Sequence, residues 1–416
     1  MVRKRRDLLR LGAATLAMAA GRRRLLFAAD QGVPAAAEAH IERVVAEYSE
    51  QGNHRTGTSV DESSGDWLCR QVSAAGLVPA REPFELNRVD LQTNFVAAGD
   101  RRIDAMPVFD GGFTDPRGIT GRPGALASDR AIAIAECAPN TAGAGALGEA
   151  RRANRHAAIV CVTRGGRPGL CPSNADSFLA PYGPPVLQVS SEHGAWLNEQ
   201  AERAGDIRVV AQVTRTRVTA FNVTAQIEGR DPSLRPLVVS TPRSGWYSCA
   251  SERGGGIACW LEVMRALGET RPLHTTVFVA FSGHEVGSLG GHAFIEKRPA
   301  IVRDAAAWIH FGANIGASVP RVTRLAASDD DFDKAVADAI ASAGATVDQR
   351  NPRGSLPGGE AELVHRGGGR YVALTGGNAL FHNPDDRGPQ VVNVAAIARI
   401  AAAFVSIVKA LSATAA

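Results

Sequence analysis

The sequence predicts an α/β protein: a mostly parallel sheet with helices on both faces, interrupted by a smaller inserted α/β unit. From Pro236 onward, short apolar runs alternate with amphipathic stretches, as parallel strands and crossover helices require. Residues from about 100 to 218 differ in texture, with short strands and many Gly and Pro. The apolar run at 275–281 breaks into Ser282-Gly283-His284-Glu285. Two side chains able to bind metal or move protons therefore stand at a strand's carboxyl end, where open α/β sheets hold their ligands.

Residues 1–34 read as an export leader. Arg5-Arg6-Asp7-Leu8-Leu9-Arg10 is similar to a twin-arginine motif, and a weakly apolar run follows from Leu11 to Ala20. Ala19-Ala20 or Ala28-Ala29 offer small residues for cleavage, although Arg22-Arg23-Arg24 depart from the usual pattern. The run is too short to span a bilayer, so no stable membrane span is expected.

Next come a helix over 40–50, a polar break containing Gly52-Asn53-His54-Arg55-Thr56-Gly57, and a second helix from residue 63 or 64. In the middle unit, 131–137, 157–162 and 186–189 read as buried strands, with a helix over 147–155. The final part predicts strands at 237–241, 275–281, 305–311 and 371–375. Helices are expected at 256–267, from 289, at 331–343 and at 391–411. No solenoid-type repeat is visible.

Composition sets the limits. The length of 416 residues suggests two or more domains, and 45% apolar with 21% charged residues is ordinary for a soluble globular protein. The net charge of +4 comes largely from the leader, so nucleic acid is not an expected partner. Six cysteines (Cys69, Cys137, Cys161, Cys171, Cys249 and Cys259) contain no CxxC pair, which argues against a structural zinc cluster. In an exported protein Cys161 and Cys171 are candidates for a bridge; six buried free thiols are the alternative.

The order of parts resembles the M28 family of zinc peptidases, in the subgroup carrying a protease-associated insert. The segment from His54-Arg55-Thr56-Gly57-Thr58 through Leu77 resembles the opening of the catalytic domain. The run Phe381-His382-Asn383-Pro384-Asp385-Asp386 resembles a Tyr-His-Thr-x-x-Asp motif near the family's C-terminus. The resemblance implies a zinc-exopeptidase-type fold divided into the leader (1–34), a first catalytic part (35–95), the insert (96–220) and the main catalytic part (221–416).

It also implies a changed metal site. Pro242 and Ser244 stand where the family has a ligand His and its partner Asp. Glu252 stands for the bridging Asp, and His284-Glu285 for a Glu-Glu pair of general base and ligand. A late ligand Asp falls near Gly312, and the last ligand His matches His382. Glu252, Glu285 and His382 would then hold a single zinc, as in the related glutaminyl cyclases, since a catalytic zinc needs three protein ligands and an open position. His284 would replace the general base; an imidazole with a pKa near ~6.5 suits that role.

The implied activity is aminopeptidase-like hydrolysis of an amide bond in a small peptide or N-acyl amino acid. Two alternatives stand beside it. One is a catalytically inactive relative that binds; the other is a metal-free hydrolase using Ser244, Cys249 or Ser251 of the 244–251 loop. Around the site, Arg243 or Arg253 could grip a substrate carboxylate or phosphate, and Trp246 could form a substrate-facing wall. His310 could replace a lost ligand, Gly358-Gly359-Glu360 could line the pocket, and Asp385 and Asp386 could orient His382. Ordinary ion pairs, packing, a satisfied core histidine and helix capping are the competing readings. Oligomeric state is not legible.

Overall fold

The structure, a computed structural model, describes residues 35–203 and 205–414. The expected leader lies outside the described residues. Helices α1 (Ala35–Glu50) and α2 (Ser59–Ala74) come first. α2 starts earlier than its apolar spacing suggests because Thr58 caps it, accepting from the Asp61 amide at 3.3 Å. The 19-residue β1 (Ala80–Ala98) leads into the insert. There the chain forms β2 (Arg101–Asp104), β3 (Met106–Pro107), β4 (Ile119–Gly121), β5 (Pro123–Ala125), β6 (Ile132–Cys137), α3 (Gly145–Ala153), β7 (Ala158–Thr163), β8 (Val186–Ser190) and α4 (Gly194–Glu202).

The 21-residue β9 (Ile207–Ile227) carries the chain back. The regular part runs β10 (Leu237–Pro242), α5 (Ala250–Gly268), β11 (Thr276–Phe281), α6 (Leu289–Glu296), α7 (Ile301–Asp304), β12 (Ala307–Phe311) and β13 (Thr323–Ala327). It closes with α8 (Asp330–Ser342), β14 (Gln349–Arg350), α9 (Ala361–Arg366), β15 (Tyr371–Gly376) and α10 (Val394–Ala413).

Ten strands form the main sheet, in the order β14-β13-β15-β12-β10-β11-β9-β1-β2, with β4 also pairing β9. Its centre, β11-β10-β12-β15, is parallel, matching the expected class. Its flanks are antiparallel, where β13 meets β15 and β9 meets β11. β1 and β9 make a long ribbon, from Ala80 opposite Thr224 to Ala97 opposite Arg208. Pro83 and the charged residues of β1 hide that ribbon from a reading by apolar alternation.

Helices α1, α5, α8 and α10 cover one face with a core including Trp260, Met264, Phe311 and Phe404. On the other face Phe281, Phe294 and Trp308 pack beneath α6, α7 and α9. α10 is long and apolar enough to cross a membrane, yet Ile397, Phe404, Ile407 and Val408 bury one side of it in this core. The insert has its own five-stranded sheet, β3-β8-β7-β6-β5, and a buried Arg151–Asp110 ion pair at 2.7 Å. All six cysteines are free thiols, two of them half-buried. The expected Cys161–Cys171 bridge is not formed. Pairing of β6 with β7 instead sets Cys161 Sγ 2.9 Å from Cys137 Sγ.

α5 does most to position the site. Its apolar spacing begins at Gly256, but the helix starts at Ala250 and takes in Gly254-Gly255-Gly256. Glycine normally costs a helix ~1 kcal/mol. Here close approach overrides propensity: a Cβ on Gly255 would lie 1.9 Å from the Ile315 carbonyl oxygen. Glu252 and Arg253 are thereby set on the helix's first turn, at the carboxyl ends of the parallel strands.

Gly255→Ala is expected to lower unfolding stability by at least ~1–3 kcal/mol in urea denaturation. Gly268→Ala on the same helix, where the nearest atom is 3.4 Å away, is expected to be near neutral.

Candidate functional site

A cleft of about 790 Å³ opens at the carboxyl ends of the parallel strands. Pro242, His284, Gly312 and Gly376, each at or just after a central strand, form its floor. Asn174 and Asp176 enter from the insert, and Arg324 and Asn378 from the opposite side.

Gly283, at φ +91°, turns the chain after β11 and sends His284 toward this cleft. His284 Nδ1 lies 3.0 Å from Glu360 Oε1. Burial works to raise the Glu360 carboxyl, but His284, His310 and Arg253 outweigh it and hold the group at about 2. Glu360 Oε2 is 3.7 Å from His310 Nε2, and His310 Nδ1 meets Ser240 Oγ at 3.0 Å. Burial dominates at His310 and lowers it to about 4, so it stays neutral. Gly359 closes over this ring at φ +67°, where a Cβ would come within 2.8 Å of His310 Nε2.

Beneath the floor lies a second cluster. Glu252 Oε1 is 3.3 Å from His382 Nε2 and 2.7 Å from Arg253 Nη2, and all three side chains are fully buried. His382 Nδ1 donates to the Pro172 carbonyl, which leaves Nε2 facing the carboxylate. Burial opposes ionisation of Glu252, but Arg253 and then His382 hold it at about 2.

Glu285 turns a third way. Its Oε1 accepts the Thr56 amide at 2.6 Å, and its Oε2 accepts Ser244 Oγ–H at 2.7 Å. Ser244 Oγ in turn accepts from the amides of Gly283 at 2.9 Å and His284 at 3.2 Å.

Residues 222–408 match the model of Peptidase family M28. This stretch is similar to that family. Three solved structures share the fold over most of the chain. BSAP, a zinc aminopeptidase from Bacillus subtilis, superposes with a TM-score of 0.75 at 15% identity, over 92% of this chain and 97% of its own. A peptidase M28 precursor from Shewanella amazonensis gives 0.71 at 15%, over 92% and 97%. An aminopeptidase from Aneurinibacillus sp. strain AM-1 gives 0.66 at 12%, over 89% and 93%. At such identities the likeness is one of fold. No curated protein matches the sequence.

The stretch from 222 to 408 does not assemble the expected zinc set from Glu252, Glu285 and His382. Only Glu252 and His382 converge, while both oxygens of Glu285 are committed to other donors. The Arg253 guanidinium beside Glu252 opposes a divalent ion, and the cluster does not reach the cleft, where a catalytic metal would need an open position. No group of three His, Cys, Asp or Glu side chains is arranged to hold a metal among the described residues.

Most neighbours also differ from expectation. Arg243 grips no ligand: it is 1% exposed, and its Nη1 donates to Asp61 Oδ1 and to the Asp61 carbonyl, both at 2.8 Å. Arg253 is equally buried and does not line the cleft. Trp246 lies behind the wall, donating to Asn174 Oδ1 at 3.0 Å. His310 approaches Glu360 and takes no place beside Glu252 and His382.

Asp385 points to solvent beside Arg387, and the Pro172 carbonyl orients His382 in its stead. Asp386 caps α5, accepting from the Ser251 amide at 2.8 Å and the Glu252 amide at 3.0 Å, at the helix's positive end. The three candidate nucleophiles of a metal-free hydrolase are all engaged or enclosed. Ser244 is saturated, Ser251 donates to Asp386, and burial raises the enclosed Cys249 thiol far above its usual range. Asn378, which does line the cleft, follows β15 in Gly376-Gly377-Asn378, the same strand-end signal that singled out His284.

Ser244→Ala is expected to cost ~2–3 kcal/mol in denaturant unfolding, since it leaves the buried Glu285 short of a donor. A fluorophosphonate probe is expected not to label Ser244. His54 gives a further check: it stacks on Tyr48 with ring centroids 3.8 Å apart, and burial lowers it to about 3. The unfolded chain therefore binds a proton that the fold refuses, and stability falls as pH drops from ~6.5 toward that value. His54→Gln is expected to flatten the fall in Tm between roughly pH 7 and pH 5, followed by scanning calorimetry.

Proposed function

We propose that this chain is an aminopeptidase-like amide hydrolase working from the strand-end cleft, with His284 as its proton carrier and no zinc at Glu252, Glu285 and His382. The observation that carries this reading is the His284–Glu360 pair at 3.0 Å. A carboxylate accepting from Nδ1–H leaves Nε2 with its lone pair free. His284 lines the cleft, so that lone pair is available to whatever binds there.

Water attacking a bound carbonyl would give its proton to Nε2, and His284 would return it to the departing nitrogen. Arg324 lines the same cleft; its Nε and Nη1 are held by Gln349 and the Gly376 carbonyl, and its Nη2 would supply a donor for the oxygen that becomes negative. The cleft volume lies within the ~300–1,000 Å³ usual for small-molecule sites, which suits a small peptide or an N-acyl amino acid. The twin-arginine-like leader makes export part of the same proposal.

A second reading keeps one zinc on Glu252 and His382. It is favoured by Glu252 Oε1 and Oε2 and His382 Nε2, which are buried without a hydrogen-bond partner among the described residues. It would need a third ligand from a rearrangement of Glu285.

The test is turnover of aminoacyl p-nitroanilides and N-acyl amino acids before and after exhaustive chelation. Turnover is expected to survive chelation and to fall ~10²–10⁴-fold in His284→Ala, with Glu360→Gln also impaired. Loss on chelation with recovery on added zinc would establish the second reading. Peptide binding without turnover would leave a binding protein.

A further inference from the structure

We infer that the guanidinium of Arg253 is the resident cation of this site, a covalently attached positive charge in the place where the two converging groups Glu252 and His382 would otherwise call for a metal ion. The inference shares the metal-free half of the proposed function and is independent of the hydrolytic half.

The geometry begins at the first turn of α5. Neighbouring helix residues do not face each other, yet Arg253 Nη2 reaches Glu252 Oε1 at 2.7 Å. Arg253 does so because its Nε–H is drawn back to the Ser244 carbonyl at 2.8 Å, which fixes the plane of the group. Beyond those contacts, Nη1 and Nη2 have no hydrogen-bond partner among the described residues. A guanidinium buried for hydrogen bonding alone would spend its five donors better. This one is placed for its charge.

The surroundings require that charge. His382 Nε2 and Glu252 Oε1 face each other at 3.3 Å, and neither atom has a hydrogen-bond partner among the described residues. Glu360 adds a second buried carboxylate close enough to feel the guanidinium. Burying one unpaired carboxylate is costly, and two near each other more so. In this cluster Arg253 supplies the only permanent positive charge among the described residues. An arginine keeps its charge at any physiological pH and cannot be chelated away.

The test uses the full chain, with Arg253→Lys, Arg253→Met and Glu252→Gln/Arg253→Met, each stripped with chelator and then titrated with zinc. Bound metal and Tm are the readouts, not turnover. Wild type and Arg253→Lys are expected to take up no zinc and to show no shift in Tm. Arg253→Met is expected to lose roughly 10 °C and to regain a few degrees when zinc is supplied. The double variant, lacking both charges, is expected to recover most of that loss without zinc. Stoichiometric zinc in wild type would overturn the inference, as would an Arg253→Met protein as stable as wild type and indifferent to zinc. Should Arg253→Met fail to fold, the double variant decides: folded supports the inference, and unfolded overturns it.

Discussion

One buried carboxylate, Glu285, ties together three segments that are remote in sequence. It accepts the Thr56 amide from the stretch before α2 and the Ser244 hydroxyl from the loop after β10, while sitting itself at the end of β11. Ser244 then holds the Gly283 and His284 amides, so the direction of His284 follows from this node. A side chain with the chemistry of a ligand is the keystone of the cleft floor. Charged groups buried in low dielectric cannot be left half-satisfied, and this one is satisfied by backbone and hydroxyl.

The Arg243–Asp61 pair lies next to the node and serves the same architecture. Ser282 Oγ donates to Asp61, and Arg243 reaches the Phe221 carbonyl on β9. Two fixed charges therefore align α2, β9 and the strand-end loops around His284. In the layer above them, His284, Glu360 and His310 form a row reaching from the cleft to Ser240 in β10.

The parallel centre of the sheet was legible because its strands are buried on both faces and read as unbroken apolar runs, such as Val277 to Phe281. Gly283 and His284 were legible too, through the strand-end position. β1 and β9 were not, because a half-exposed ribbon spreads its apolar residues too thinly for a period of two to stand out. The start of α5 was missed because glycines normally end a helix, and no local pattern announces that Ile315 will press against one. The direction of a side chain at a strand end is hidden altogether. His284 and Glu285 are adjacent, yet one faces the cleft and the other an inner hydrogen-bond node, and the difference comes from Thr56 and Ser244, far off in the chain.

The insert grips the site with its backbone. The Pro172 carbonyl fixes the ring of His382, the Ala175 amide donates to the Glu285 carbonyl at 2.8 Å, and Tyr247 Oη–H reaches the Leu170 carbonyl at 3.2 Å. Residues 170–175 thus belong to the same cooperative unit as the carboxyl ends of β10 and β11, although they are drawn from another sheet. Local opening of that segment and loss of the His382 tautomer are one event, with one free energy. A cut between the two sheets would therefore not release a working core, and the smaller sheet behaves thermodynamically as a wall of the site.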